Sequence, residues 1–244
     1  MEIATMVAAS RLVAMQRAMD VTADNLANAD TAGFKAERML FSDWLSRQPG
    51  TPGGAERQIA YTQDRATWRD QRSGTLTHTG NPFDIALSGD GYFTVQTAAG
   101  PRLTRAGRFA PTPDGMLADL AGNKLLDTTG QPIQLAQGDT TVTIAGDGTV
   151  SDQGGEIAKI GVVQPTDPMR MTAEGAARLR ADTPTAPVAA PQIVQGAVED
   201  SNVQPIAEVT HMVDMQHEFQ FVAGFLQAES DRQQNAVDKL LPRA

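Results

Sequence analysis

Residues 206–241, IAEVTHMVDMQHEFQFVAGFLQAESDRQQNAVDKLL, decide the fold class of this chain. The stretch contains no proline and a single glycine, Gly224. Its apolar residues recur at alternating spacings of three and four, which predicts one long helix with an apolar seam. The residues assigned to that seam are Val209, Met212, Gln216, Phe219, Ala223, Leu226, Ser230, Gln233, Val237 and Leu240.

The N-terminal stretch 5–28 shows the same pattern and also lacks glycine and proline. Its seam consists of Ala8, Leu12, Met15, Met19, Thr22 and Leu26. Because each stripe needs a partner, we expect the two ends to pair as an α-hairpin. A second apolar flank would stay exposed in a single chain and predicts assembly with other subunits; it contains Ile3, Met6, Val13, Val213, Val222 and Phe225.

The middle of the chain has a different pattern. Between residues 74 and 163, short runs such as PFDIALS, GYFTVQT and TVTIAG are separated by Gly-Asp-Gly and Asp-Gly turns. This pattern predicts antiparallel strands joined by tight turns. Residues 165–182 fit either a short helix or further irregular strand.

The predicted fold class is therefore α+β, with long N- and C-terminal helices that form a coaxial coiled-coil-like layer and a central antiparallel all-β domain. The N-terminal helix and its turn are expected at 1–38, the β domain at 74–182 and the C-terminal helix at 206–244. Two connectors join them. The first is 39–73, with a Pro/Gly loop at Ser46–Ala55, and the second is an extended, proline-containing return connector at 183–205.

Composition excludes several functions. The 244 residues carry a net charge of −9 and no cysteine. A negative chain is a poor ligand for nucleic-acid phosphates, and a chain without cysteine has no thiol catalysis, disulfides or cysteine-based zinc sites. No apolar run approaches the length of a bilayer-spanning helix, so we expect no membrane insertion.

The residues that could carry site chemistry have simpler interpretations. His211 and His217 are six apart, whereas metal-binding pairs on a helix prefer a spacing of three or four. Gly89-Asp90-Gly91 is interpreted as a hairpin turn and not as a calcium loop. Glu199 and Asp200 are interpreted as solvated linker charges. We therefore predict no catalytic residue, no cofactor and no metal.

Four segments in this order resemble the bacterial flagellar rod and hook family. They are ADNLANADTAGFK at 23–35, SGDGYF at 88–93, LTRAGRF at 103–109 and SNV at 201–203. Each is weak alone, but the ordered set is specific and spans nearly the whole chain. Length and the small β body are most similar to the proximal-rod members, then to the distal-rod members, and least to the larger hook proteins.

Three positions depart from the family pattern: Asp24 stands for an asparagine, His217 for an arginine and Gln220 for a glutamate. The last two changes affect an ion pair that the family could make in the last helix, because they replace an arginine and a glutamate. A histidine at position 217 would keep that ion pair only when it is protonated.

The turn after the first helix also has a direct physical interpretation. Asn25 and Asn28 can hydrogen-bond backbone groups where the helix ends, and Gly33 can supply a positive φ. Phe34 would then anchor the emerging chain against a partner surface. The predicted subunit-interface residues are Leu12, Met15, Met19, Asn25, Leu26, Asn28, Gly33, Phe34, Val209, Met212, Phe219, Leu226, Val237 and Leu240.

The resemblance implies a structural protein without enzymatic activity or cofactor. It would be exported unfolded through the flagellar type III apparatus and would assemble with copies of itself and with proximal- and distal-rod proteins. The assembly is the rod that crosses the periplasm and transmits torque from motor to hook. Two alternatives are a soluble binding module whose β body grips a ligand while the helices dimerise, and a cell-wall enzyme that depends on carboxylates such as Asp84, Asp90 or Asp119.

Overall fold

The computed structural model describes residues 2–48, 57–135, 142–175 and 177–240, with side chains from 5–40, 67–135, 142–175 and 177–236. Two terminal helices flank a chain of short strands, which confirms the α+β class. The chain divides into two compact units. The helical unit comprises Met1–Ala27, Glu37–Trp68 and Gln204–Ala244, and the β unit comprises Asn28–Ala36 and Arg69–Val203.

The helical unit contains helices α1, Glu2–Ala27, and α2, Pro205–Leu240, which pack against each other. The side chain of Asn25 in the last turn of α1 hydrogen-bonds the backbone of Glu37, and Arg38 forms an ion pair with Glu208 in the first turn of α2. The end of α1 therefore lies near the start of α2, so the two helices are antiparallel. Among the described residues, neither helix is long and apolar enough to cross a membrane.

The seam of α1 lies where the sequence places it, because Ala8, Leu12, Met15, Met19, Thr22 and Leu26 are all buried or half-buried. The seam of α2 differs from the predicted one at every second position. Met215 and Val222 are buried, whereas Val209 and Gln216 are exposed. The face of α2 that packs on α1 therefore differs from the predicted seam. Its residues are Glu208, Met212, Met215, Phe219, Val222, Leu226 and Glu229.

The helical unit also contains a two-stranded sheet of β1, Glu37–Gln48, and β2, Arg57–Arg69. Residues 39–73, expected from the sequence to be a connector, contain most of these two strands. Strand-favouring residues such as Ile59, Tyr61 and Thr67 alternate with other residues in β2, which is the pattern of an extended strand. The predicted loop at Ser46–Ala55 lies outside the described residues from position 49 onward.

The β unit is built from sixteen described strands. They are β3 Leu76–His78, β4 Ile85–Leu87, β5 Tyr92–Thr97, β6 Gly100–Thr104, β7 Phe109–Pro111, β8 Leu117–Asp119, β9 Lys124–Leu125, β10 Thr143–Ile144, β11 Thr149–Asp152, β12 Gly155–Lys159, β13 Val162–Pro165, β14 Met171–Ala173, β15 Arg178–Ala181, β16 Thr185–Pro187, β17 Ile193–Gln195 and β18 Ala197–Glu199.

All of the described pairings in the β unit are antiparallel. The largest sheet has the order β14-β15-β6-β5-β9-β8-β7, with β13 and β16 attached beside β5. Strands β10, β11 and β12 form a second sheet, and β17 and β18 pair with β4 and β3. The segment 165–182, left open by the sequence, is strand and turn. The expected connector 183–205 contains three strands that belong to the β unit.

The core of the β unit is formed by inward-facing aliphatic and aromatic residues of these strands. Phe93 and Phe109 meet edge to face, with ring centroids 6.0 Å apart and an interplanar angle of 89°. The side chains that surround them are nearly inaccessible to solvent and include Ile85, Leu87, Val95, Leu117, Leu125, Ile133, Val150 and Ile160.

Gly107 marks a point where two backbone segments come too close for a side chain. A Cβ atom built there would lie 1.5 Å from the carbonyl oxygen of Ile85, whose amide donates to the Gly107 carbonyl at 2.9 Å. At Gly146 the nearest atom to such a Cβ lies 3.7 Å away, an ordinary contact.

We therefore expect Gly107→Ala to lower the free energy of unfolding by about 1–3 kcal/mol or more, because the β4 backbone must move. Gly146→Ala is the matched control and should cost far less. Urea unfolding followed by circular dichroism compares the two. Equal stability of the two variants would contradict the close approach seen at Gly107.

A buried charge cluster and an exposed helix face as candidate sites

The carboxylate of Glu199 lies at the centre of a buried charge cluster in the β unit. Its Oε1 accepts a hydrogen bond from Lys35 Nζ at 2.5 Å, and its Oε2 accepts one from Arg105 Nη1 at 3.0 Å. The three side chains are 0%, 3% and 5% exposed, respectively. Such an arrangement is stable only when each charge keeps its partners.

Backbone groups complete this charge cluster. Lys35 Nζ also donates to the Arg72 carbonyl at 2.9 Å, and Gly74 N donates to Glu199 Oε1 at 3.0 Å. Arg105 Nη2 donates to the Gly89 carbonyl at 2.7 Å. Within the described residues, the buried Arg105 Nε has no hydrogen-bond partner.

Three of the four motif segments quoted above contribute to the charge cluster, and the fourth follows it directly. Lys35 ends the first segment, Gly89 belongs to the second and Arg105 to the third. The guanidinium carbon of Arg105 lies 5.3 Å from the centroid of the Tyr92 ring, a cation–π distance. Glu199 stands two residues before Ser201, which opens the fourth segment.

The structure corrects the sequence-based interpretation of Glu199 as a solvated linker charge. Its side chain is fully buried, whereas the neighbouring Asp200 accepts a hydrogen bond from the exposed Thr77 hydroxyl at 2.6 Å. A signal was present in the sequence: Lys35 and Arg105 lie in motif segments rich in Gly, Ala and Phe. Two cations in buried segments require an anion.

Burial also changes the proton affinity of two groups at the charge cluster. It lowers the pKa of the Lys35 ammonium below its ordinary value of 10.5, and the hydrogen bond from Lys35 to Glu199 partly opposes that shift. Burial raises the pKa of the Tyr92 phenol, and the Arg105 charge partly opposes it. Without Glu199 this hydrogen bond would be lost, and burial would lower the pKa of Lys35 further.

The turn between Asn28 and Phe34 has the geometry that the motif suggested. Asn28 accepts hydrogen bonds from Thr31 at its carbonyl and at its side-chain oxygen, at 3.1 and 3.2 Å. Gly33 has φ +70°, and its amide donates to the Glu199 carbonyl at 2.7 Å. A Cβ at Gly33 would lie 2.2 Å from the Arg105 carbonyl carbon, so the turn excludes a side chain there.

Two asparagines hold backbone segments in place. In the helical unit, Asn25 is 1% exposed; its Nδ2 donates to the Glu37 carbonyl at 2.9 Å, and its Oδ1 accepts from the Glu37 amide at 2.8 Å. In the β unit, Asn202 Oδ1 accepts from the Ala36 amide at 2.7 Å, and its Nδ2 donates to the Asp70 and Arg72 carbonyls at 2.9 Å each.

Phe34 is 9% exposed and packs with Ala36, Val203 and Ala29 of its own chain. It therefore anchors the turn within the β unit, and its predicted place in a subunit interface stays a prediction.

The other predicted interface residues lie mainly between the two helices. Met15 is buried, and the half-buried ones are Leu12, Met19, Leu26, Met212, Phe219 and Leu226. Val209 is 45% exposed. The side chains of Val237 and Leu240 lie outside those that the structure describes.

A set of large apolar side chains on α2, here named the α2 stripe, is exposed. Two of its members, Ile206 and Phe221, are 85% and 78% exposed. At 100° per residue, Ile206, Val213 and Phe221 lie roughly opposite to the face that packs on α1, and Val209 and Phe225 lie on the two sides of that line. It consists of Ile206, Val209, Val213, Phe221 and Phe225. The sequence analysis had found Val213 and Phe225, but had also assigned Val222, which is buried.

The carboxylates considered above lie in separate loops of the β unit. Asp84 accepts hydrogen bonds from Thr79 and Asn81, and Asp119 accepts from amides of its own turn, while Asp90 is exposed. Across residues 2–48, 57–135, 142–175 and 177–240, no group of three or more His, Cys, Asp or Glu side chains could hold a metal ion.

Three family models match the chain in order. The model described as "Flagella basal body rod protein" matches residues 6–35, "Flagellar hook protein FlgE/F/G D1 domain" matches 86–152, and "Flagellar basal body rod FlgEFG protein C-terminal" matches 194–239. The flagellar basal-body rod protein FlgF of Caulobacter vibrioides is 35% identical, with 98% of each chain covered. The chain belongs to the flagellar basal-body rod protein family.

Other relatives agree with this assignment. The FlgF protein of Mesorhizobium japonicum is 32% identical over 96% of each chain, and the FlgG protein of Bacillus subtilis is 29% identical over 84% of this chain and 86% of its own. High-coverage matches to proteins named FlgF show that the chain is similar to the FlgF members of this family. This rod protein is a structural component of the flagellar basal body, in a family whose members assemble with other axial flagellar proteins.

Replacing Glu199 in this rod protein should be strongly destabilising, because Lys35 and Arg105 would remain buried without their anion. We expect Glu199→Ala to lower the free energy of unfolding by about 3–5 kcal/mol in urea titrations. Glu174→Ala is the matched control, since Glu174 also pairs with two cations, Arg102 and Arg180, but has a side chain that is 32% exposed. Its loss should be much smaller, and equal losses would contradict the importance of burial.

The destabilisation caused by Glu199→Gln should also depend on pH. With the pKa of Lys35 depressed in the folded state, the unfolded chain binds more protons as the pH falls below 10.5. The free energy of unfolding therefore rises with pH in that range. The penalty of Glu199→Gln should shrink from neutral pH towards 10.5, as measured by urea unfolding at several pH values.

The control for this pH series is the double variant with Lys35→Met added. It should lose the extra pH dependence, because the titrating ammonium is gone. A penalty of Glu199→Gln that stays constant with pH would show that Lys35 is not the group left uncompensated.

Proposed function

We propose that this rod subunit assembles through the α2 stripe, with copies of itself and with the proximal- and distal-rod proteins next to it. The observation that carries the proposal is that α2 has two apolar faces. One face is buried against α1, and the opposite face remains exposed in the single chain.

The size of the exposed surface supports this role. Large apolar side chains scattered singly over a protein surface are ordinary, but a contiguous strip is typical of an interface. In α2, Ile206, Val209 and Val213 recur at spacings of three and four, and Phe221 and Phe225 follow beyond His217, four residues apart from each other. In α1, Met6 and Val13 are each 56% exposed and seven residues apart, so they share one face of their own helix.

Such a surface fits a polymer. Apolar side chains on one subunit that meet a different surface of the next produce a heterologous contact, and repetition of that contact builds an open helical assembly. Packing of each subunit's helices against several neighbours would give the rod its torsional stiffness. The buried seam and the exposed stripe then have separate tasks, because the seam holds one chain together and the stripe joins chains.

We further propose that the chain reaches the rod by the flagellar type III export apparatus and that it catalyses no reaction. The charged side chains of the β unit that the structure describes in detail support the second point. Glu199 is held by two cations, and Asp119 and Asp127 accept hydrogen bonds from their own turns. The alternative of a soluble ligand-binding module finds no support in the family models or in the relatives.

Phe221→Asp should block rod assembly without unfolding the chain. Phe221 is 78% exposed, so a carboxylate there costs the single chain little but would be buried in the assembled rod. Circular dichroism of the purified variant should match the unmodified chain. In a strain lacking the native gene, the variant should give no motility, and electron microscopy should show basal bodies without a complete rod.

Two controls separate the stripe from general effects of substitution. Phe221→Leu keeps an apolar side chain and should support motility. His211→Asp adds the same charge to another exposed side of α2 and should also support motility. Normal rods with Phe221→Asp, or equal failure of His211→Asp, would rule out the stripe as the assembly surface.

A further inference from the structure

Residues 192–203, here named the closing segment, are the last part of the β unit and contain β17 and β18. Their strand partners lie about a hundred residues earlier. Ile193, Val194 and Gln195 pair with Leu87, Ala86 and Ile85 of β4, and β18 pairs with β3. All three residues of β4 are buried, and β17 is its strand partner in a sheet of two.

The middle of the closing segment connects two distant parts of the β unit, the connection between β3 and β4 and the start of β10. The Gln195 side chain donates to the carbonyls of Pro82 and Val142 at 2.8 and 2.7 Å and accepts from the Ile144 amide at 3.1 Å. The Gly196 carbonyl accepts from the amides of Thr79 and Gly80 at 2.8 and 3.2 Å. The β3–β4 connection and the sheet of β10, β11 and β12 are therefore both held by the same two residues of the closing segment.

The end of the closing segment supplies the charge and the polar groups that the N-terminal turn needs. Glu199 is the carboxylate that pairs with Lys35 and Arg105, and Asn202 binds the Ala36 amide. Val203 packs on Phe34. A β unit without this segment would contain two unpaired buried cations and a fully apolar strand without its partner.

We propose that the closing segment is a strap that completes the β unit, so that this unit folds only when residues 192–203 have docked. A chain that lengthens from its N-terminus could then not close the β unit before residue 203 has been added. If the chain is exported unfolded, the strap keeps most of it open until its last quarter. That consequence rests on the proposed function, whereas the closure itself does not.

Amide hydrogen exchange of the full-length chain tests the strap directly. The amides of Ile193, Gly196 and Asp200 donate hydrogen bonds from the closing segment to carbonyls elsewhere in the β unit. The amides of Leu117, Leu126 and Ile133 donate hydrogen bonds within the core of that unit. If docking and folding are one event, both sets should exchange with the same protection factor, through opening of the whole unit. Protection of the closing segment clearly below that of the core amides would overturn the proposal, because the segment would open alone.

A variant that lowers stability only slightly extends the exchange test to a chain that stays folded. Thr77→Ala removes the exposed hydroxyl that donates to Asp200 at 2.6 Å, and it should lower the protection factors of both sets of amides together, by roughly fivefold. Thr172→Ala removes a similar bond to Asp182 at 2.9 Å outside the closing segment, and it should act on both sets in the same way. A drop confined to the closing segment in Thr77→Ala would again refute the strap. Neither result depends on rod assembly.

Discussion

The balance of charge around Glu199 is the constraint on which the β unit depends. One carboxylate lies between an ammonium and a guanidinium, and none of the three side chains is more than 5% exposed. Attraction offsets the loss of hydration only because carbonyls of Arg72 and Gly89 also accept from the two cations. The three charged residues lie far apart in sequence. This balance therefore forms only when the turn after α1, the end of β6 and strand β18 have come together.

This constraint gives the family motifs an internal role. Gly33 leaves room for the Arg105 backbone, Lys35 and Arg105 meet the same carboxylate, and Asn202 holds the Ala36 amide. Each of these groups contacts other residues of its own chain. The residues with the strongest family likeness thus specify how one subunit closes. The exposed side chains that we assign to assembly, such as Phe221, lie outside the segments quoted for the resemblance.

Local sequence patterns predicted what depends on local physics. The absence of glycine and proline over 5–28 marked α1, and the alternating turns and apolar runs marked the β unit. The positive φ of Gly33 followed from its place after a helix. Glu199 could not be found in this way, because its burial depends on partners 94 and 164 residues away. The packing of Phe34 on Val203 could not be found in this way either, since Val203 lies at the other end of the β unit in sequence.

The misplaced seam of α2 has a physical origin that bears on assembly. A helix that is apolar on one side has one stripe with alternating spacings of three and four, but α2 is apolar on two sides, so several such stripes can be drawn through it. Packing in the single chain selects the stripe with Met215 and Val222 and leaves Val209 outside. The alternative seams in the sequence therefore correspond to two apolar faces of α2. A helix whose pattern supports two seams can satisfy both only when one faces its own chain and the other faces a neighbour.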